Sequence, residues 1–567
     1  MKLYYYHDKT AHKSLNDSKK DYTSAYIPVM LKNMGFTAYE LDTDALDNGV
    51  LEPDDAVIFG ADTLSNASSL ALSKAVNAGA RAIGLGTDAK RVFPIEQGQK
   101  PKDEDEKYKT VGYFRLFGSD EPLPVIYYTG KIIAESGEIT GYITEKNGKC
   151  TPALWNSEDK KTYCFSFDLA AVLLYIAEGK PTNEGIPPFP LGRIPDGRII
   201  EKGYNLDIAC LDSYMRILGD ILSEMGFAHI YALPASEKNA SDMVLFFAGD
   251  DDAGSRENDL AAAKAMHKRG LPYHLNLMPA DDKGSFVIDK KDFDYLHSIG
   301  CETALHYNFL SFPYSEEGHR IQSEMYKRAF GEESISPVNH CLIQVGSPNK
   351  RYHMQVQNGA KSDNNRFQNE LDPSDINAFN LKGFAFGSAF PRFVTDDAEH
   401  SNMPLDFCEI PGSYYEPRIY DGTDEEKRKI SDYLDDSYYY KRTSQLFTHP
   451  HYISGVVTDA SPALKALDFA IEYVKSKPGW RVLYFAPERL ACWWHDRAKC
   501  IIKSITKGGF TLCNPTEENV TAVLPFGVSD VKVSNGGLTE RKDIAGKEHT
   551  LVTAGPGETE ITYKIIG

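Results

Sequence analysis

The decapeptide FFAGDDDAGS, Phe246–Ser255, decides how this 567-residue chain is read. Its first half ends an apolar run, DMVLFFAG, with the character of a buried strand. Its second half sets Asp250, Asp251 and Asp252 side by side. Three adjacent like charges repel unless something neutralises them. Read as a solvated turn, the triplet needs only to lead into the helix that begins near Ser255, and Asp252 can cap that helix. Read as the mouth of a site, it stands at the C-terminal end of a strand, where barrels of alternating strands and helices place their chemistry.

Around the triplet the pattern alternates. The helix ENDLAAAKAMHKRG closes at Gly270, the strand LPYHLNLM follows, and the helix KKDFDYLHSIG stops at Gly300. CETALHYNF, TSQLFTHPHYIS and WRVLYFA are further strands, and SPALKALDFAIEYVKSKPG and PERLACWWHDRAK further helices. Six or more such units predict a (β/α) TIM-like barrel over residues 189–499. Residues 1–188 also alternate. MKLYYY, AVIFG and RAIGLG are strands, and SAYIPVMLKNMGF and LSNASSLALSKAVNAGA are helices, the latter stopped by Gly79. That predicts a parallel sheet covered on both faces. The Pro- and Gly-rich run PTNEGIPPFPLGRIPDG, Pro181–Gly197, predicts a linker. Beyond residue 500 helical periodicity stops, and short alternating runs with Gly- and Asn-rich turns predict a small β-sandwich over 500–567. The expected class is multidomain α/β.

The formal net charge of −19 argues against nucleic acid and anionic membrane as partners, which both need a basic surface. No stretch approaches the ~18 unbroken apolar residues of a membrane span. The start, MKLYYYHDKTAHK, lacks an apolar core followed by a small-residue cleavage site, so the sequence as written reads as cytoplasmic. A secreted chain trimmed of its leader would read the same. None of the nine cysteines forms a C-x-x-C pair, which predicts reduced structural thiols.

Other polar residues fall at predicted strand ends. His306 ends CETALH, Asn339 and His340 sit in SPVNHC, Asp363 sits in NGAKSDNN, and His449 and His451 end SQLFTHPH. The last two are two apart, so on a strand they share a side. In a barrel these groups and the aspartate triplet converge on one rim. Carboxylate plus imidazole suits a divalent transition metal. A carboxylate off the metal can act as general base and a spare histidine as general acid. His267, His274, His297, His319 and His353 read as structural or surface residues.

Two resemblances add to this reading. The N-terminal pattern resembles the flavodoxin-like domain of class I glutamine amidotransferases and of the trimerisation domains of some glycosidases. An amidotransferase needs a nucleophile at the turn that here reads G-L-G-T, Gly84–Thr87, which has none. A non-catalytic domain follows, suited to homo-oligomerisation or to shaping a cleft. The block around Asp251 resembles the polysaccharide deacetylase (NodB-like carbohydrate esterase) superfamily. The family's T-F-D-D-G reads A-G-D-D-D-A-G here, with a helix closing at Gly270. Its G-H-E-I-G-N-H is matched by I-G-C-E-T-A-L-H, ending at His306, and its final strand ending in His by SQLFTHPH.

The resemblance implies zinc-dependent de-N- or de-O-acetylation of a carbohydrate. It makes Asp251 the general base, Asp252 and His306 metal ligands, and His449 or His451 the acid. The family's second metal histidine falls on Leu310, and its R-x-P-x-G motif is not recognisable. The third ligand is therefore open among His340, His449 and His451. Asp250, Asn339, Asp363 and Arg392 are expected beside substrate or behind the reacting groups, and FAFGSAFPRF and GSYYEPRIY to supply aromatic lining. The alternatives are a glycoside hydrolase pairing Asp251 with Glu302, Asp363 or Glu409, and a catalytically inactive carbohydrate-binding protein.

Overall fold

In the computed structural model the described residues are 1–89, 91–96, 98, 106–127, 129–179, 181, 207–252, 254–281, 283–347, 349–367, 381–384 and 386–566. The expected linker at 181–197 and the expected boundary at 188 therefore lie outside them, Pro181 apart.

The first sheet has nine strands. Tyr39–Asp42, Leu3–His7, Ala56–Phe59, Arg81–Leu85 and Thr162–Phe165 run parallel in that spatial order. Cys150–Asn156, Glu138–Glu145, Thr110–Leu116 and Leu123–Ile126 extend it antiparallel. Alternate side chains on the parallel strands enter different cores, because strand periodicity is two. Ile58, Ile83 and Phe165 pack with helix Tyr26–Met34, whereas Val57, Ala82 and Cys164 pack with Leu72 of helix Asn66–Ala78. Helix Leu169–Glu178, LAAVLLYIAE, is buried on every side. Such a helix belongs inside a multilayered body. At the turn Gly84–Thr87, Thr87 Oγ1 donates to the Gly60 carbonyl, so the hydroxyl is directed into the backbone.

The second system is a half-barrel. Val338–Asn339, Cys301–Tyr307, Tyr273–Leu277, Met243–Asp250 and Thr443–Phe447 lie side by side in parallel, with Val482–Phe485 also pairing with the first half of Met243–Asp250. Main-chain pairing on the far side stops at Val338–Asn339, after which Cys341 and Leu342 both take left-handed φ of 54°. A separate three-stranded sheet, Ser362–Phe367, Pro404–Gly412 and Arg392–Thr395, flanks this gap. Side-chain amides tie it in. The Asn339 N–H donates to Asn365 Oδ1 (2.8 Å), and Gln445 Nε2 donates to Asn364 Oδ1 (2.7 Å). The asparagines of SDNNRF thus replace ladder bonds that a regular barrel would have.

A buried charge network joins this flank to the first sheet. Glu178, at the end of the buried helix, meets Arg392 (2.6 Å), Arg366 (3.0 Å) and the Tyr352 hydroxyl (2.6 Å). Arg351 bridges Asp363 (2.6 Å) and Glu409. Charges are buried only when paired, and here each acid faces at least one guanidinium.

Two four-stranded sheets finish the chain. Ile501–Thr506, Gly509–Asn514, Gly557–Ile565 and Val528–Val533 form one. The other contains Val520–Val523, Lys547–Ala554 and Leu538–Ile544, with His229–Ile230 from upstream of the half-barrel as an edge strand. Arg497, fully buried, donates to the carbonyls of Ile230, Tyr231 and Asn33 at this junction. Burial pushes that guanidinium down to about 9. No helix among the described residues is long and apolar enough to cross a membrane.

Candidate active site

Five strand ends meet on one rim. Asp250 closes Met243–Asp250, and His306 sits next to the end of Cys301–Tyr307. His340 follows Val338–Asn339, Glu416 follows Tyr414–Tyr415, and His449 lies just beyond Thr443–Phe447. Asp252 is central. Its Oδ1 lies 3.2 Å from His306 Nε2 and 3.6 Å from His340 Nε2, and its Oδ2 lies 3.3 Å from His449 Nε2. Asp250 Oδ2 lies 3.6 Å from His306 Nε2. The strand can end this tightly because residue 249 is glycine. A Cβ there would stand 2.1 Å from the Tyr273 hydroxyl and 2.3 Å from the Thr448 carbonyl oxygen.

Of the three aspartates, the first and third share this face. Asp252 has φ of 49°, a left-handed conformation that Asp tolerates better than most residues. Asp251, expected as the base, points to the other side. Its Oδ1 accepts from the Met278 backbone N–H (2.9 Å), and it is only 3% exposed. Behind it lies Asp259, which burial and the Asp251 charge push up to about 9. The strand ends at Asp250, and the left-handed turn at Asp252 brings the third carboxylate back to the face of the first.

His449 and His451 do not share a strand face. Strand Thr443–Phe447 has already ended, and Pro450 opens the short helix Pro450–Ile453 with His449 at its N-cap. His449 enters the rim. The His451 ring lies on the helix against Tyr452, with its centroid 5.4 Å from that of His449. Asn339 pins the turn that presents His340, donating from Nδ2 to the Ile343 carbonyl (2.8 Å). Asp363 and Arg392, expected beside substrate or behind the reacting groups, belong instead to the buried charge network. Glu409 is in that network too, and Glu302 accepts the backbone N–H groups of Glu488 and Arg489 at a helix N-terminus. The carboxylates of the glycosidase alternative therefore have other partners.

Two residues of the site were not expected from the sequence. Glu416 Oε1 lies 2.5 Å from His449 Nδ1 and also accepts the His449 backbone N–H (3.0 Å), while its Oε2 faces Arg418 (2.9 Å). Asn276 Nδ2 donates to Asp250 Oδ1 (2.8 Å), and Asn276 Oδ1 meets His274 Nε2 (3.1 Å). Glu416 sits in GSYYEPRIY, a stretch read for its aromatics. Tyr415 from that stretch does stack on Phe447 beside His449. From FAFGSAFPRF, Phe384 and Phe386 are buried, and Phe390 stacks on Trp494.

The electrostatics couple one carboxylate to two imidazoles. Burial pushes Asp252 up, but hydrogen bonds from His306 and His449 outweigh it and hold the carboxyl well below the usual range. Burial pushes His306 down, while Asp250 and Asp252 raise it above its ordinary value. His449 is raised well above its own, against burial, by Tyr415, Asp252 and Glu416. His340 is lowered to about 4 by burial and then by His306.

The donor set also fits a metal ion. Asp252, His306 and His340 each offer a ligand atom, as do Asp250, Asp252 and His449, and each set lies within 4.8 Å. Four-coordinate zinc with bonds of about 2.0–2.1 Å keeps its ligand atoms about 3.3 Å apart. The Asp252–His306 and Asp252–His340 separations, 3.2 and 3.6 Å, match that spacing. His306 Nδ1 sits on the Val338 carbonyl (3.2 Å), so a metal ion that displaced the Nε2 proton shared with Asp252 would meet Nε2 as its ligand atom. His340 Nδ1 is buried without a hydrogen-bond partner among the described residues.

No family model matches the chain, and no curated protein matches it. Among solved structures it is similar to a protein from Mycobacterium smegmatis assigned as a polysaccharide deacetylase, at 12% identity over 47% of this chain and 94% of that one, with a TM-score of 0.32. It is similar to a family 4 carbohydrate esterase from Bacillus subtilis at 11% identity over 49% and 89%, with a TM-score of 0.25. It is also similar to the "Xyl-CE4" domain of a multidomain xylanase from the hindgut metagenome of Trinervitermes trinervoides, at 11% identity over 44% and 89%, with a TM-score of 0.23. What the site can do is decided by its own atoms.

Proposed function

We propose that the chain is a metal-dependent hydrolase that removes acyl groups, acetyl above all, from a carbohydrate. The carrying observation is Asp252, which faces His306 and His340 with one oxygen and His449 with the other. Asp252, His306 and His340 would hold a divalent ion, and two imidazoles with one carboxylate favour zinc. When bound, such an ion supplies Lewis acidity toward an acyl carbonyl and toward water. The carbohydrate as substrate class rests on the motif resemblance in the sequence.

In this reading Asp250 replaces Asp251 as general base. Its Oδ2 is on the rim, while Asn276 fixes the other oxygen. His449 is the acid. Glu416 holds its Nδ1–H, so Nε2 faces the rim and can deliver a proton to the departing oxygen or nitrogen. His451 flanks this pair. The same reading keeps residues 1–188 as a non-catalytic domain, 189–499 as the catalytic one and 500–567 as a sandwich.

Metal content and turnover of acetylated oligosaccharides test it together. Asp252→Ala should remove one ion per chain and abolish deacetylation. Asp250→Asn should keep that ion and lower kcat by about 10²–10⁴-fold, the usual share of a general base. Full turnover in both variants would overturn the assignment.

A further inference from the structure

A second set of convergent ligands shares no residue with the rim. His353, on helix Lys350–Val356, meets Asp396 and His400, which flank and end the turn Ala398–His400. Their ligand atoms all lie within 4.8 Å of one another. His353 Nδ1 lies 3.8 Å from Asp396 Oδ1. That oxygen is buried without a hydrogen-bond partner among the described residues, on a residue only 8% exposed. Asp397 Oδ2, beside it, is buried in the same condition. A buried carboxylate oxygen with no donor is costly unless a cation meets it.

His400 is set to supply a lone pair, and His353 is one amide flip away from doing so. His400 Nδ1 sits 2.7 Å from Asp397 Oδ1, so the carboxylate holds the N–H and leaves Nε2 as the acceptor. A carboxylate behind a histidine in this way is the usual support of a metal ligand. The Gln357 amide nitrogen lies 2.8 Å from His353 Nε2, where it can only donate. With the amide oxygen toward the ring instead, an orientation related to this one by an amide flip, Nε2 carries the proton and Nδ1 faces Asp396 as a lone pair. The two rings stack with centroids 4.1 Å apart, which keeps both histidines over the same carboxylate.

We propose that His353, Asp396 and His400 bind a second divalent transition-metal ion, of the zinc or cobalt class, which clips helix Lys350–Val356 to the turn after Arg392–Thr395. That turn carries contacts to the N-terminal sheet domain. The Ser401 carbonyl meets His12 Nε2 (2.9 Å) and accepts from Asn16 Nδ2 (3.2 Å), and Asn402 Nδ2 donates to Asn16 Oδ1 (2.7 Å). Ser401 and Asn402 hold consecutive left-handed φ values of 78° and 50°. The ion is therefore structural, fixing the turn on which the first helix, Lys9–Asp17, rests.

The test uses full-length protein stripped with chelator and titrated with ZnCl2, read by calorimetry, elemental analysis and melting temperature. The comparison is made in the Asp252→Ala background, so that the rim ion does not enter it. Asp252→Ala alone should bind one zinc per chain and melt higher with zinc. Adding Asp396→Asn or His400→Ala should weaken that binding at least tenfold and remove the rise in melting temperature. If Asp396→Asn does not fold, His353→Gln, at a partly exposed position, carries the same comparison. Absence of zinc binding by Asp252→Ala, or binding unchanged by these substitutions, overturns the proposal.

Discussion

Glu178→Gln probes the joint between the first sheet and the half-barrel. The wild-type carboxylate is 3% exposed and faces Arg392, Arg366 and the Tyr352 hydroxyl. Burial pushes its pKa up, but the two guanidiniums and the hydroxyl outweigh burial and bring it from 4.5 to about 2. A difference of about 2.5 pKa units is worth about 3 kcal/mol in favour of the ionised folded form. Because the folded value is depressed, that contribution is fully present above about pH 4.5 and is lost as pH falls toward 2. By pH 3 less than half of it should remain. The glutamine keeps the shape but leaves two buried guanidiniums facing a neutral amide, and breaking a buried pair from one side costs about 3–5 kcal/mol. Urea unfolding of both proteins from pH 7 to pH 3 reads the gap directly. It should be about 3 kcal/mol or more at pH 7 and shrink steadily below pH 4.5. A gap under about 1 kcal/mol, or one that does not change with pH, refutes the account of the network.

Gly249→Ala places a methyl against the Thr448 carbonyl, which cannot move aside without shifting His449, so melting should show a loss of about 1–3 kcal/mol together with lost rim metal. A wild-type melt would count against the close approach. Asp259→Asn should raise stability at neutral pH, because the wild-type acid, raised to about 9, loses folding free energy as pH climbs from its unfolded value toward 9. Unfolding at pH 5 and pH 8 checks this, and a gain that does not grow with pH is the contrary result. Glu416→Gln should lower kcat by about 10–100-fold with KM little changed, since it orients His449 and does not reach substrate. Steady-state kinetics measure it, and an unchanged kcat removes Glu416 from the mechanism.

Local periodicity made much of the secondary structure readable. LSNASSLALSKAVNAGA forms Asn66–Ala78 and ends at Gly79 with φ of 117°, as its composition demands. The meeting of Asp250, Asp252, His306, His340 and His449 was legible as polar residues at strand ends. Which aspartate faced inward was not, because the face is set by pairing of Asp250 with Asn276 on the neighbouring strand. Pro450 was a visible signal that His449 and His451 could not share a strand, and its meaning became clear only with the helix it starts. Glu416 and Asn276 carry no local pattern. Each acts on a residue brought close only by the sheet. The half-barrel was hidden for a similar reason, since closure by asparagine and glutamine side chains leaves strands that read like any others.

The edge strand His229–Ile230 has a consequence for synthesis. Its partners, Ala522 and Val523, are made after more than half the chain has followed. At ribosomal speeds of about 5–20 residues per second, the upstream dipeptide waits on the order of tens of seconds for its mate. Cutting the chain near residue 500 would leave His229 and Ile230 without their pairing strand. The strands from Val520 onward thus fasten late onto an edge laid down early, and a ribosome stalled before them would leave His229–Ile230 without its neighbour.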